Sequence, residues 1–169
     1  MKPRRGKPAS WASTWRSLYR SRQGGRAESR YVRSASIEEF GRLQHQARGL
    51  IKLVDVAPEQ PGNLEFIRQM SHDVRVSVAH TCTGYDDARA AFDAGARHMT
   101  HLFNAMPSLH HREPGPIAAG AERNDVTAEI IADGVHLPEA LLRFVYKFKG
   151  ADRTALCTDA MRGAGMPDG

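Results

Sequence analysis

From Ser36 onward the sequence predicts an α/β fold of parallel βα units. Short apolar runs that read as strands alternate with amphipathic helical stripes to the end of the chain. Titratable residues gather just after the strand-like runs, at the end of the strands where ligands bind in parallel α/β architectures. The length of 169 residues, 41% hydrophobic and 25% charged, gives one domain with room for a core. Five such strands suit either an open doubly wound sheet or part of a closed barrel, and periodicity alone leaves both open.

The elements follow in order. Ser36-Ile37-Glu38-Glu39 reads as a capping box, in which the Ser hydroxyl and the Glu carboxylate satisfy reciprocal backbone donors. Ile37, Phe40, Leu43 and Ala47 then form a helical stripe that stops at Gly49. Leu50 to Val56 is a buried strand, broken by Pro58. Pro61 suits the first turn of a helix through Leu64, Ile67 and Met70. Val74 to Ala79 alternates at period two as a second strand, and Tyr85 to Ala94 is a helix closed by Gly95. His98 to Phe103 is a third strand, followed by a loop rich in Pro, His and Gly from Asn104 to Pro116. A helical turn near Ile117 to Arg123 leads to a fourth strand, Thr127 to Ala132. Leu137, Leu141, Phe144, Val145 and Phe148 stripe the next helix, which Gly150 ends before a fifth strand, Arg153 to Thr158.

Composition excludes several classes. No run approaches the roughly 20 apolar residues of a membrane span, and the first 30 residues lack the apolar block of a secretory signal. Two cysteines, Cys82 and Cys157, are too few for a disulfide scaffold and fit a reducing, cytoplasmic setting. Residues 1–33 hold ten Lys or Arg against one acid, Glu28, whereas the remainder is net acidic. The arm is expected to be a disordered or aberrant segment separate from the domain at 34–169. Nucleic-acid binding through it, salt-dependent and without sequence choice, ranks last among the readings. Trp11, Trp15 and Tyr19 recur at spacing four, as one stripe of a short helix would.

The residues with chemistry are His80 after the second strand, His101 at the third, Asp133 and His136 after the fourth, and Asp159 after the fifth. Any one histidine is as easily a core or capping residue. Their shared placement at one end of four strands makes a site. Neutral imidazoles from two strands suit a first-row metal such as Zn or Fe, and a carboxylate from another strand suits proton transfer from metal-bound water, so the set points to metal-assisted hydrolysis. Cys82, two residues from His80, is weighed as a nucleophile and set below a passive role; Cys157 reads as core. In the loop NAMPSLHHREPG at 104–115, Arg112 offers a fork for phosphate or carboxylate.

Longer motifs carry a resemblance. THLFNAMPSLHHREPG at 100–115 closely resembles the signature of the N-acetylglucosamine-6-phosphate deacetylases of the amidohydrolase superfamily. AHTCTGY at 79–85, IADGVH at 131–136, TDAMRGAGMPDG at 158–169 and GLIKLVDVAPEQPG at 49–62 resemble that family's other motifs, in order. The resemblance implies a partial TIM-type (β/α) barrel of about five βα units. It implies that His80 and His101 ligate one divalent metal, Zn or Fe, and that Asp159 activates the metal-bound water and then protonates the departing amine. It implies that His136 contacts substrate near the scissile acetamide and that Asn104 and Ala105 help hold the sugar phosphate. Arg112 would bind the phosphate across a homodimer interface. The implied reaction converts N-acetylglucosamine 6-phosphate to glucosamine 6-phosphate and acetate.

The family's H-x-H motif and the Glu of an HLEGP-like motif do not occur in these residues, and residues 1–30 look unrelated to the family, as a frame-shifted stretch would. The expectation is an incomplete metal site and an isolated chain with little or no activity. Two alternatives stand beside the deacetylase: an amidohydrolase for another N-acyl amino-sugar phosphate, and a non-catalytic remnant that binds phospho-sugars.

Overall fold

The computed structural model describes residues 13–19, 32–160 and 164–166 of the chain. Six strands form one sheet: β1 (Ser13–Tyr19), β2 (Ile51–Val56), β3 (Arg75–Val78), β4 (His98–Met99), β5 (Thr127–Ile131) and β6 (Thr154–Cys157). Every neighbouring pair is parallel, and the strand order in space is the order in sequence. A doubly wound sheet reverses its order at one point, whereas a barrel never does. The uninterrupted order therefore settles the question that periodicity left open: the chain is part of a (β/α) barrel wall.

Among the described residues five helices connect the strands: α1 (Ile37–Gln46), α2 (Asn63–Met70), α3 (Tyr85–Asp93), α4 (Gly115–Ala121) and α5 (Glu139–Lys149). The register aligns Val54 with Val76, Val56 with Val78, Val78 with Met99 and Met99 with Ala128 on one sheet face. These side chains share a core with Phe40, Phe66, Phe92, Ile117 and Val145 from the helices. Alternation sends Asp55, Ser77 and His98, also in register, to the opposite face. That inner face is polar where it approaches the site.

Several local expectations need correcting. The capping box is half formed: the Ser36 hydroxyl accepts from the Glu39 backbone N–H at 3.2 Å, while the Glu39 carboxylate pairs with Arg33 at 3.3 Å. Pro61 lies in a turn, and α2 begins two residues later behind Gly62 in a left-handed conformation (φ 81°). The third strand is only His98–Met99, because His101 (φ 35°) and Phe103 (φ 77°) turn the backbone out of the extended region. Residues 13–19 form a strand pairing with β2, so the arm expected to be disordered contributes to the sheet and the helical stripe through Trp15 and Tyr19 is not formed. Trp11 and most of the basic residues behind the nucleic-acid reading lie outside the described residues, as do 161–163 and 167–169 of the last motif. Among the described residues no helix is long and apolar enough to cross a membrane.

Candidate active site

Among the described residues six non-glycine residues have positive φ, and five of them lie just past the carboxyl ends of strands: His80 (45°), His101 (35°), Phe103, Ala105 (52°) and Asp159 (47°). Left-handed backbone costs an L residue of order 1–3 kcal/mol, and such residues persist where surrounding bonds over-determine them, as at functional sites. Three of the five are the residues that sequence reasoning assigned to metal binding and catalysis. Strand periodicity carries no trace of this backbone feature.

The structure brings His80 and His101 together. Their Nε2 atoms are 2.9 Å apart and their rings meet edge to face with centroids 4.6 Å apart. His101 is 2% exposed, while His80 is half-buried at the site's mouth. The loops bearing them are tied by the Thr81 N–H, which donates to the Ala105 carbonyl at 3.1 Å. Asn104 caps the turn: its backbone N–H and its side-chain amide both donate to the His101 carbonyl, at 2.9 and 3.2 Å. Asn104 and Ala105, expected at the sugar phosphate, thus also shape the His101 turn.

Sequence reasoning missed Glu59, in the loop after β2. It accepts from the Thr81 hydroxyl and from the Cys82 backbone N–H, the latter at 2.7 Å, and so holds the segment that follows His80. An acid directly after a predicted strand was the signal available. The Cys82 thiol is exposed, whereas His80 directs its Nε2 at His101, so no thiol–imidazole pair supports a nucleophile there. Cys157 is half-buried and pairs in register with Ile131 on the inner face.

The other expected residues lie on the loops that follow β4, β5 and β6. After β5, the Asp133 carboxylate accepts from the backbone N–H groups of Val135 and His136, each at 2.9 Å, and from His136 Nδ1 at 2.7 Å. The His136 backbone bond, its ring and the Val135 N–H together hold Asp133 down to about 2. An Nδ1–H directed at a carboxylate leaves His136 Nε2 as an acceptor. Asp159 is exposed directly beyond β6. Arg112 lines a cavity of about 560 Å³ with Thr83, Tyr85, Ser108 and His110, beside the imidazole pair rather than against it.

Two convergent imidazoles suit a first-row divalent ion as two of its ligands. Among the described residues no further His, Cys, Asp or Glu joins them to make a set of three.

Known proteins are similar to this chain in sequence and fold. The chain is 37% identical over 149 residues to the N-acetylglucosamine-6-phosphate deacetylase of Bacillus subtilis (strain 168), covering 88% of the chain and 38% of that protein. It is 40% identical over 138 residues to the N-acetylgalactosamine-6-phosphate deacetylase of Escherichia coli O157:H7, covering 81% and 36%. The crystal structure of the Mycobacterium smegmatis N-acetyl-D-glucosamine-6-phosphate deacetylase superposes with a TM-score of 0.87 at 40% identity, over 92% of this chain and 42% of that one. Over most of its length the chain is similar to part of the N-acetylglucosamine-6-phosphate deacetylases. It spans less than two-fifths of the length of these curated relatives, which accounts for a barrel wall of six strands. An Asp-to-Ala variant of the M. smegmatis deacetylase in complex with N-acetyl-D-glucosamine-6-phosphate also superposes, with a TM-score of 0.80 at 42% identity over 84% of this chain and 38% of that one. No protein-family model matches the chain.

Proposed function

We propose that this chain supplies catalytic and phosphate-binding residues to a metal-dependent deacetylase of N-acetylhexosamine 6-phosphates, with N-acetylglucosamine 6-phosphate as the leading substrate. The observation that carries the reading is the convergence of His80 and His101 through left-handed backbone at the carboxyl ends of adjacent strands. These two imidazoles would hold one divalent ion, Zn or Fe, which when bound polarises the acetyl carbonyl and lowers the pKa of water.

The chain's own residues do the rest. Asp159 takes the proton of the attacking water on its carboxylate and returns it to the departing amine, so hydrolysis gives acetate and the free amino sugar. His136, oriented by Asp133, presents Nε2 to the acetamide. Arg112 binds the 6-phosphate with its planar fork. Its place on an exposed loop, set off from the imidazole pair, supports service to the site of a second copy in a homodimer. Two cysteines in the chain, too few for a disulfide scaffold, support a cytoplasmic location.

Calorimetric binding tests the substrate class. Glucosamine 6-phosphate and galactosamine 6-phosphate are titrated into the protein alongside unphosphorylated glucosamine. The reading expects the phosphorylated sugars to bind more tightly, and Arg112→Ala to weaken them about tenfold or more, as loss of a charge-assisted pair would. Equal affinity for glucosamine with and without phosphate would contradict it. Comparison of the two epimers sets the hexosamine preference.

A further inference from the structure

The inner face of the sheet carries a chain of hydroxyl and carboxylate groups that the reaction does not use. The Thr100 hydroxyl donates to Asp55 Oδ1 at 2.7 Å and lies 2.8 Å from the Ser77 hydroxyl. Thr100 has one hydroxyl proton, which goes to the carboxylate, so Ser77 is the donor in the second bond. Ser77 and Thr100 are fully buried and Asp55 is 2% exposed, at the end of three adjacent strands. A barrel interior is ordinarily filled by branched apolar residues, so a carboxylate here needs a purpose beyond packing.

The backbone supplies one. β4 ends at Met99, and the Thr100 N–H makes only a long bond of 3.4 Å to the Val78 carbonyl. The next residue, His101, is left-handed, and the chain is caught again by the Leu102 N–H on the Glu129 carbonyl at 2.7 Å. Between a loosening ladder and that catch, the firm hold on residue 100 is its side chain.

We propose that Asp55 is a positioning residue for His101, acting through the Thr100 hydroxyl with Ser77 as the second support. The relay fixes where the backbone leaves the strand, and thereby brings His101 Nε2 to His80. It rests on the reading of this pair as metal ligands, but it is measurable in the metal-free chain.

The test is long-range proton–nitrogen correlation of the imidazoles in the metal-free 169-residue chain, comparing Thr100→Val, Thr100→Ser and wild type. Thr100→Val keeps the shape and removes the hydroxyl. The relay predicts that its His80–His101 cross-peaks disappear, and that Thr100→Ser, which restores a hydroxyl, restores them. Ser77→Ala, which leaves the Asp55 bond in place, is expected to weaken the cross-peaks without abolishing them, and it serves if Thr100→Val fails to fold. Zinc titration of the same variants then follows. Outer groups that orient ligands alter affinity by about 10- to 100-fold, and a loss of that size is expected for Thr100→Val with rescue by Thr100→Ser. Unchanged imidazole signals in folded Thr100→Val, or unchanged signals in Ser77→Ala where Thr100→Val is unfolded, would overturn the proposal. Wild-type chain that shows the cross-peaks but binds no zinc would sink the metal reading and leave the relay standing.

Discussion

Asp133 and the residues around it show how far single positions in this site are set by local bonding. Its carboxylate accepts two backbone N–H groups and one imidazole, and these hold it down to about 2 from an ordinary 3.8. The folded chain therefore keeps the charge longer than the unfolded chain does. The stability this group contributes is complete above about pH 3.8 and is lost as pH falls through about 2. Urea midpoints compared between wild type and Asp133→Asn should converge as the acid range is entered, and a constant difference down to pH 2 would contradict the account. The places of His80, His136 and Asp159 past the strands were legible in the sequence because each follows a strand-like run, and that of His101 because it lies in one. The left-handed backbone of His80, His101 and Asp159 was not, since it goes with bonds between distant loops such as Thr81 to Ala105. Glu59 was passed over for a related reason: its partners, Thr81 and Cys82, lie 22 and 23 positions away.

At the scale of elements, α5 is coupled to α4 through a buried lysine. Lys149 Nζ donates to the carbonyls of Gly120, Arg123 and Val126 at 2.6, 2.9 and 2.9 Å, at the end of α4 and in the loop before β5. Lys149→Met removes this donor from all three carbonyls, of which Gly120 keeps the Arg123 N–H at 3.3 Å, and a loss of about 2 kcal/mol or more is expected in chemical denaturation. Burial pushes the Lys149 ammonium from 10.5 down to about 8. Between those values the unfolded chain binds the extra proton, so this group's contribution rises with pH. The stability gap between wild type and Lys149→Met should widen from about pH 8 to about pH 10, and a gap that narrows would contradict this. The alternation of elements was readable from apolar spacing, and the helices fall within a few residues of expectation. The third strand was overextended because MTHLF continues the apolar pattern past the point where His101 turns. β1 escaped because its sequence, STWRSLY, sits among basic residues and is organised by pairing with β2 rather than by its own pattern.

Across the whole molecule, the described sheet ends at β1 and β6, and the β6 side exposes apolar surface. Leu156 is 73% exposed and Tyr146 59%, and with Ile130 and Leu142 they line a groove of about 480 Å³. An unpaired parallel edge beside apolar surface favours association. Leu156→Lys is expected to lower concentration-dependent self-association in sedimentation experiments, and no change would show that this face is not the sticky one. The polar inner face, the convergent imidazoles and the loop that carries Arg112 all lie toward the carboxyl ends of the strands, which is why a wall of six strands still carries a recognisable site.

Acetate release from N-acetylglucosamine 6-phosphate, followed in protein supplied with Zn(II) or Fe(II), tests the central claim most directly. With only two imidazoles proposed as metal ligands among the described residues, turnover is expected to be slow, and Asp159→Asn should abolish whatever acetate release wild type shows while leaving product binding intact. Acetate release at an equal rate in wild type and Asp159→Asn would contradict the assignment of the site.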